Sequence, residues 1–127
     1  MGSIKSFEEF EVWKTGREIA RQVYSLSRRT AFAADFGLKD QICRASVSII
    51  SNIAEGYESQ TNNLFIRHLR IAKGSAGEVR SHLYVALDQK YIAEAEFKAL
   101  TELCRKTSRQ LSSLIEYLKH STCNLKL

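Results

Sequence analysis

The sequence predicts an all-α protein, an antiparallel up-down four-helix bundle, and three observations lead to this fold class. The 127 residues contain no proline, and proline interrupts helices because it removes a backbone donor and clashes with the preceding turn. Apolar residues recur at spacings of three and four through most of the chain, which indicates helices with a buried face. The length suits a single domain with a core of its own, here residues 1–127.

Four helices are predicted, over about residues 7–30, 34–57, 62–89 and 93–120. Ser6 and Glu9 have the spacing of a capping box at the start of the first helix. The second helix is expected to stop near Gly56, since glycine commonly ends helices. Residues 121–127 are expected to form a frayed tail.

Composition and cysteine usage restrict the class of protein. The net charge is +5, which permits contact with nucleic acid without requiring it. No apolar run approaches the ~18 residues that a membrane span needs, so no membrane contact is expected. Three cysteines, Cys43, Cys104 and Cys123, show no CxxC spacing. The first two fall on apolar helix faces, and together these features predict a reducing, cytoplasmic setting.

The first helix carries more apolar surface than one buried face requires. One stripe consists of Phe10, Trp13, Ala20 and Tyr24, and a neighbouring stripe consists of Val12, Ile19 and Leu26. Together they cover roughly 200° of the helix, about twice the usual core-facing arc. We therefore predict a homo-oligomer in which Val12, Ile19 and Leu26 face another subunit. The alternative is a wide groove between two neighbouring helices of the same subunit.

The second helix is mostly apolar, with one polar strip. The strip consists of Arg44, Ser48, Ser51 and Glu55, at positions i, i+4, i+7 and i+11, so all four share a face. We interpret it as a structural hydrogen-bonding seam, either within the subunit or between subunits.

Two glycines, Gly74 and Gly77, interrupt the third helix beside its apolar stripe. Glycine inside a helix costs about 1 kcal/mol relative to alanine. Their presence predicts that another element approaches the backbone closely there.

The patterns that carry chemistry are missing from the sequence. A carboxylate metal site in a bundle needs Glu-x-x-His pairs on two helices, whereas Glu78 and His82 are four residues apart and unmatched. His68, Ser75 and His82 recur every seven residues at the edge of the core, which is typical of hydrogen-bonded core residues. No phosphate-binding glycine loop occurs. We therefore expect no catalytic residue, no metal and no cofactor, and predict that the protein is not an enzyme.

Basic residues form the strongest functional signal. The predicted phosphate contacts are Lys14, Arg17, Arg21 and Arg28 on the first helix, with Arg67, Arg70, Arg105 and Arg109 on the third and fourth. Clustered arginine and lysine can follow a phosphate backbone. The alternative is a set of solvated ion pairs, because Glu11 and Glu18 lie within three or four residues of Lys14 and Arg21.

Three blocks of sequence resemble a known family. They are residues 7–14 (FEEFEVWK), residues 40–56, which include RASVSIISNIAEG, and residues 65–78. The chain resembles the proteins encoded in intervening sequences of bacterial 23S rRNA genes, and the middle block is the most specific match. The family usually has proline where this chain has Ile50.

The resemblance implies an up-down four-helix bundle that assembles into homo-oligomers, often pentamers, with no established catalytic residues. The family is also similar to the accessory proteins of diversity-generating retroelements, which bind a reverse transcriptase and nucleic acid. We therefore predict a non-enzymatic oligomeric bundle that binds RNA, DNA or a nucleic-acid-processing protein through its basic helix faces. The alternative is a structural or protein-interaction module with no role in nucleic-acid binding.

Overall fold

The computed structural model describes residues 4–121, and its regular structure in that range is entirely helical. Five α-helices follow a 3₁₀ turn at Phe7–Glu9. They are α1 (Glu11–Ser27), α2 (Thr30–Ala34), α3 (Phe36–Glu58), α4 (Asn62–Asp88) and α5 (Glu94–Lys119). The predicted all-α bundle with four long helices is confirmed. Cys123 and most of the predicted tail lie outside the described residues.

The start of the first long helix differs from the prediction. Glu9 does reach back, since its carboxylate accepts hydrogen bonds from the backbone N–H groups of Lys5 (2.9 Å) and Ser6 (3.1 Å). This arrangement caps only the 3₁₀ turn, because Phe10 is extended (φ −70°, ψ 130°) and α1 begins after it.

A short helix that was not predicted, α2, connects α1 to α3. Asp35 ends it and caps α3, with its carboxylate accepting a hydrogen bond from the Leu38 N–H at 3.2 Å. The Tyr91 hydroxyl donates to the same carboxylate at 2.9 Å, and the Tyr91 ring stacks on the buried Phe32 at 5.2 Å. These contacts fasten α2 to the α4–α5 connection.

The four long helices pack as a square. α1 and α4 occupy opposite corners, and each packs against both α3 and α5. Along the α3–α4 contact, Ser48 meets Ser75 and Asn52 meets His68, so residue numbers rise on one helix and fall on the other. This is the pattern of antiparallel neighbours. One continuous apolar core lies between the helices.

Glycine positions show where helices approach most closely. A Cβ at Gly56 would lie 2.7 Å from the His68 Cβ and 2.9 Å from the Phe65 ring, so glycine is required where α3 crosses α4. Gly74 and Gly77 are different, because a Cβ at either position would meet nothing within 4 Å. The prediction of a close backbone approach at these two residues is wrong for the described chain, since both face open space.

Helix α3 runs without interruption through Ile50, the position at which proline was expected from the resemblance. The Ile50 side chain fills the space left by Gly16, where an added Cβ would lie 2.8 Å from its methyl group. Within residues 4–121, no helix combines the length and apolarity that crossing a membrane requires.

Candidate nucleic-acid interface

The first predicted contacts lie on the outward edge of α1, and we call Lys14, Arg17, Arg21 and Arg28 the α1 edge. All four side chains are exposed. Lys14 lies 3.5 Å from the Glu11 carboxylate. Arg21 binds Glu18 through two hydrogen bonds, one of 2.9 Å from its Nε. Arg17 lies over the Trp13 ring, 5.8 Å from the centroid.

The pairing of Arg21 with Glu18 is the strongest on this edge. Hydrogen bonds from Arg21 and from the Gln22 amide lower the pKa of Glu18 to about 2. The carboxylate is therefore ionised throughout the physiological range and stays beside the guanidinium. Arg28 is the member of the α1 edge that has neither a carboxylate nor an aromatic ring as partner in the described chain. Two of the four cations here, Lys14 and Arg21, are therefore compensated by carboxylates.

Arg67 and Arg70 lie on the outward side of α4, near the end of α5. Together with Asn63, Ile66, Ile71 and Lys119 they line an open depression of about 810 Å³. Neither arginine forms an ion pair with a described residue, whereas Lys119 lies 3.4 Å from Glu116. The two arginines are therefore available to an anionic ligand.

Arg105 and Arg109 lie in a second depression, of about 540 Å³, between α4 and α5. We call this depression the α4–α5 groove, and its lining is Lys73, Arg80, Arg105, Ser108, Arg109, Ser112 and Ser113. Arg109 donates to Glu102 at 3.2 Å, and Arg105 lies 3.8 Å from the same carboxylate. Lys73 and Arg80 form no ion pair within residues 4–121. Two of the four cations in the groove thus share one carboxylate, and the other two have none among the described residues.

The eight predicted contacts do not form one surface. The α1 edge is at the corner opposite α4, whereas Arg67, Arg70, Arg105 and Arg109 lie on the α4–α5 side. The predicted contacts do not include two cations of the groove, Lys73 and Arg80. The seven-residue spacing that puts them on one edge of α4 was available in the sequence. Their position opposite Arg105 depends on the register between α4 and α5, which the sequence does not show.

Comparison with known proteins bears on this arrangement. The sequence pattern of the 23S rRNA-intervening sequence protein family matches residues 8–113. This chain belongs to that family. A search of curated proteins found no match.

A solved structure of a family relative has the same fold. It is a protein of unknown function from the S23 ribosomal protein family of Bacteroides thetaiotaomicron, with 25% sequence identity and a TM-score of 0.77. The match covers 83% of this chain and 98% of that one. The 23S rRNA-intervening sequence family assignment and the bundle architecture therefore agree.

The predicted oligomer contacts need correction in this family member. Val12 and Ile19 are 4% and 0% exposed, and Leu26 packs against the same core. Since α1 packs against both α3 and α5, most of its wide apolar arc is covered within one subunit, and Tyr24 is the exposed exception. The alternative of a groove between two neighbouring helices explains this burial, and the Val12 and Ile19 side chains are not free to meet another subunit.

The predicted polar strip is only partly a seam. Ser48 contacts the Ser75 hydroxyl at 2.8 Å across the α3–α4 contact. Glu55 lies 4.0 Å from the His68 ring. Arg44 instead pairs with Asp40 of the same helix, and the Ser51 hydroxyl donates to the Ser48 carbonyl oxygen, also within α3.

Asn52, which is not part of the predicted strip, connects Ser48 of its own helix to His68 of α4. Its amide donates to the Ser48 hydroxyl at 3.0 Å and its carbonyl oxygen accepts from His68 Nδ1 at 3.0 Å. We call Ser48, Asn52, His68 and Ser75 the α3–α4 seam.

The remaining reactive side chains are enclosed or isolated. Burial raises the pKa of the Cys104 thiol to about 12, so it is protonated at neutral pH. His82 lies 3.5 Å from the Glu78 carboxylate without hydrogen-bond geometry. Among residues 4–121, no three histidine, cysteine or acidic side chains come together as a metal site. The α4–α5 groove and the depression at Arg67 and Arg70 are thus the strongest candidates for a functional site.

Proposed function

We propose that this protein is a non-enzymatic bundle that binds the phosphate backbone of nucleic acid through the α4–α5 groove. The observation that carries the proposal is the cluster of four cations in one concave site, two of them without a carboxylate partner in the described chain. Arginine and lysine neutralise phosphates and release condensed counterions, which supplies most of sequence-independent affinity. A concave surface also concentrates the potential of its charges.

The neighbouring groups support a phosphate ligand. Three serine hydroxyls, from Ser108, Ser112 and Ser113, line the groove and can donate hydrogen bonds to phosphate oxygens. Arg67 and Arg70 lie farther along α4 and extend the basic surface toward its N-terminal end. Such contacts position a backbone without reading base edges, so binding is expected to show little sequence preference. The α1 edge is not part of this site, because it lies at the corner opposite α4 and two of its four cations have a carboxylate partner of their own.

Fluorescence anisotropy with labelled RNA and DNA at about 50 and 200 mM salt tests the proposal. Affinity is expected to fall steeply with salt, and each phosphate contact contributes nearly one unit to the slope of log K against log salt. Lys73→Gln should lower that slope by about one. Lys14→Gln removes the same charge from the α1 edge and should leave the slope unchanged. Absence of binding at the lower salt concentration would contradict the proposal.

Self-association is a second proposal, and it needs a surface other than Val12 and Ile19. Tyr24 and Val47 are 39% and 40% exposed on the adjoining edges of α1 and α3. The contacts of Gly16 with Ile50 and of Ser27 with Cys43 bring these two edges together. We propose that a second copy of the chain covers this apolar strip in a closed ring. The family resemblance implies a pentamer.

Light scattering of the native protein measures the assembly directly, with a 14.5 kDa monomer as the outcome that contradicts it. Val47→Glu should dissociate the assembly because it places a charge in the apolar strip. Val85→Glu, an equally exposed valine on α4, is the control.

A protein-interaction module without nucleic acid is the alternative function. Phe36, which begins α3, is 79% exposed, and a large exposed aromatic side chain is typical of contact surfaces. Such a module, including one that binds a nucleic-acid-processing protein, would bind its partner equally well after Lys73→Gln. It would also show no binding of RNA or DNA in the anisotropy experiment.

A further inference from the structure

The basic edge of α4 continues into an aromatic side chain. Lys73, Arg80 and Tyr84 are separated by seven and four residues, so they lie along one edge of the helix. Gly77 falls between them on the same edge and leaves the backbone uncovered, with nothing within 4 Å of an added Cβ. Lys73 and Arg80 line the α4–α5 groove, and Tyr84 stands one turn beyond them.

Tyr84 is held in place but remains accessible. Its ring packs against Phe97 of α5, with centroids 4.8 Å apart and an interplanar angle of 66°. Half of the Tyr84 surface is nevertheless exposed to solvent. Asp88 follows one turn later and ends the positive stretch, so the tyrosine stands at the boundary of the basic surface.

We propose that the α4–α5 groove binds single-stranded nucleic acid, with Tyr84 stacking on an unpaired base while Lys73 and Arg80 contact phosphates. This inference rests on the proposed function of the groove and specifies its ligand. Proteins that bind single strands combine a positive groove with aromatic platforms, and stacking tolerates any base because every base has a π-face. In a duplex the base faces are covered by neighbouring pairs, so Tyr84 would add nothing.

The dimensions suit a short strand. From Lys73 to Tyr84, α4 rises by about 17 Å, since each helical residue adds 1.5 Å. Phosphates of one strand follow each other every ~3.4 Å along a duplex axis and lie farther apart in an extended single strand, so fewer than about five fit beside this edge. Arg105 and Arg109 lie across the groove from Lys73 and Arg80 and can hold the other side of the same backbone.

The test uses the full chain and three probes, namely a 12-nucleotide oligo(U), an oligo(dT) of the same length and a 12-base-pair DNA duplex. Single strands are expected to bind more tightly than the duplex. Tyr84→Ala should weaken single-strand binding about tenfold and duplex binding less than twofold. Tyr84→Phe should retain single-strand affinity, because the ring stacks without its hydroxyl. Phe36→Ala, at an exposed aromatic side chain at the start of α3 and outside the groove, is the control.

A strand containing 2-aminopurine reports stacking separately from affinity. Its fluorescence should be quenched by the native protein and recover with Tyr84→Ala, and thermal melting checks that this variant is folded. Equal binding of duplex and single strand, or equal weakening of both by Tyr84→Ala, would overturn the inference. If Lys73→Gln weakens binding while Tyr84→Ala does not, the inference alone fails. If neither charge nor ring matters, or nothing binds, the proposed function fails with it.

Discussion

The α1 edge and the α4–α5 groove carry similar numbers of cations but differ in how those cations are partnered. On α1, Glu11 and Glu18 pair with Lys14 and Arg21 one turn away. In the groove, Glu102 alone faces Arg105 and Arg109, while Lys73 and Arg80 have no carboxylate among the described residues. The number of basic residues along a helix therefore does not locate a phosphate site, because their partners decide how much charge is left over.

The two surfaces also differ in origin. Each pair on the α1 edge joins residues of one helix and is set by local spacing. The groove brings together cations from α4 and α5, which meet only through tertiary packing. Both surfaces are depressions, since Arg17, Arg21 and Arg28 also line one, of about 370 Å³. The two therefore differ in which helices supply the cations rather than in concavity.

Charge reversal in the two regions gives the largest expected contrast. Lys73→Glu combined with Arg109→Glu should weaken oligonucleotide binding about 100-fold at low salt, because two phosphate contacts are replaced by repulsion. Lys14→Glu combined with Arg21→Glu makes the same change in net charge and should weaken binding less than about threefold. Anisotropy titrations of both variants measure the contrast. Equal losses would show that net charge alone governs binding.

Glycine substitutions test how closely other residues pack against the buried side of α1 and against the groove edge of α4. Gly16→Ala, on the buried side of α1, should destabilise the protein by about 1–2 kcal/mol because its Cβ would lie 2.8 Å from the Ile50 methyl group. Gly77→Ala, on the open groove edge of α4, should stabilise it by up to ~1 kcal/mol through helix propensity. Urea unfolding measures both. Loss of stability in the Gly77 variant would mean that something covers this edge.

Removing a carboxylate from either region should release its cations. Glu102→Gln frees Arg105 and Arg109 and is expected to raise oligonucleotide affinity about threefold at low salt, since two cations become available to phosphates. Glu18→Gln frees Arg21 at a surface remote from the groove and should raise affinity by less than about 1.5-fold. Titrations in parallel give the ratio. A larger gain from the Glu18 variant would make the α1 edge the main site.

The smallest expected effect concerns Arg29, the cation that follows the α1 edge. Two hydrogen bonds tie it to Glu96 at the start of α5, one of them 2.8 Å long. Those bonds, together with one from the Ala93 N–H, lower the pKa of Glu96 to about 2 from an ordinary 4.5.

A lowered carboxyl pKa stabilises the fold above about pH 4.5, and the contribution disappears as the pH falls through about 2. The pair is partly exposed, so about 0.5 kcal/mol is expected. Glu96→Gln should remove this part of the acid dependence, as measured by urea unfolding between pH 2 and 7. An unchanged dependence would show that the ion pair does not contribute.

The fold was largely predictable, because helix periodicity and the lack of proline are local properties of the chain. The exceptions were also local. Phe10 interrupts the expected first helix, and α2 forms where Asp35 caps the next one. The role of Val12 and Ile19 could not be read from the sequence, because a wide apolar arc looks the same whether its second neighbour belongs to the same subunit or another.

The site was less predictable than the fold. The basic residues were identified from the sequence, but which of them share one groove depends on helix register. Lys73 lies opposite Arg109 only because α4 and α5 run past each other at a particular offset. The pairing of Arg21 with Glu18, by contrast, follows from their three-residue spacing. It agrees with the alternative interpretation of these residues as solvated ion pairs.

The α3–α4 seam fixes the axial position of the helix that carries the groove. Sliding α4 by one helical turn would move it 5.4 Å, separating Ser48 from Ser75 and Asn52 from His68. Each of these polar groups would then be left unpaired in a semi-buried contact, at a cost of about 1–3 kcal/mol for each buried group. The seam therefore determines the height at which Lys73 and Arg80 are presented. Substitutions at Asn52 are therefore expected to displace these two cations, and with them the proposed phosphate contacts, from the opposite side of α4.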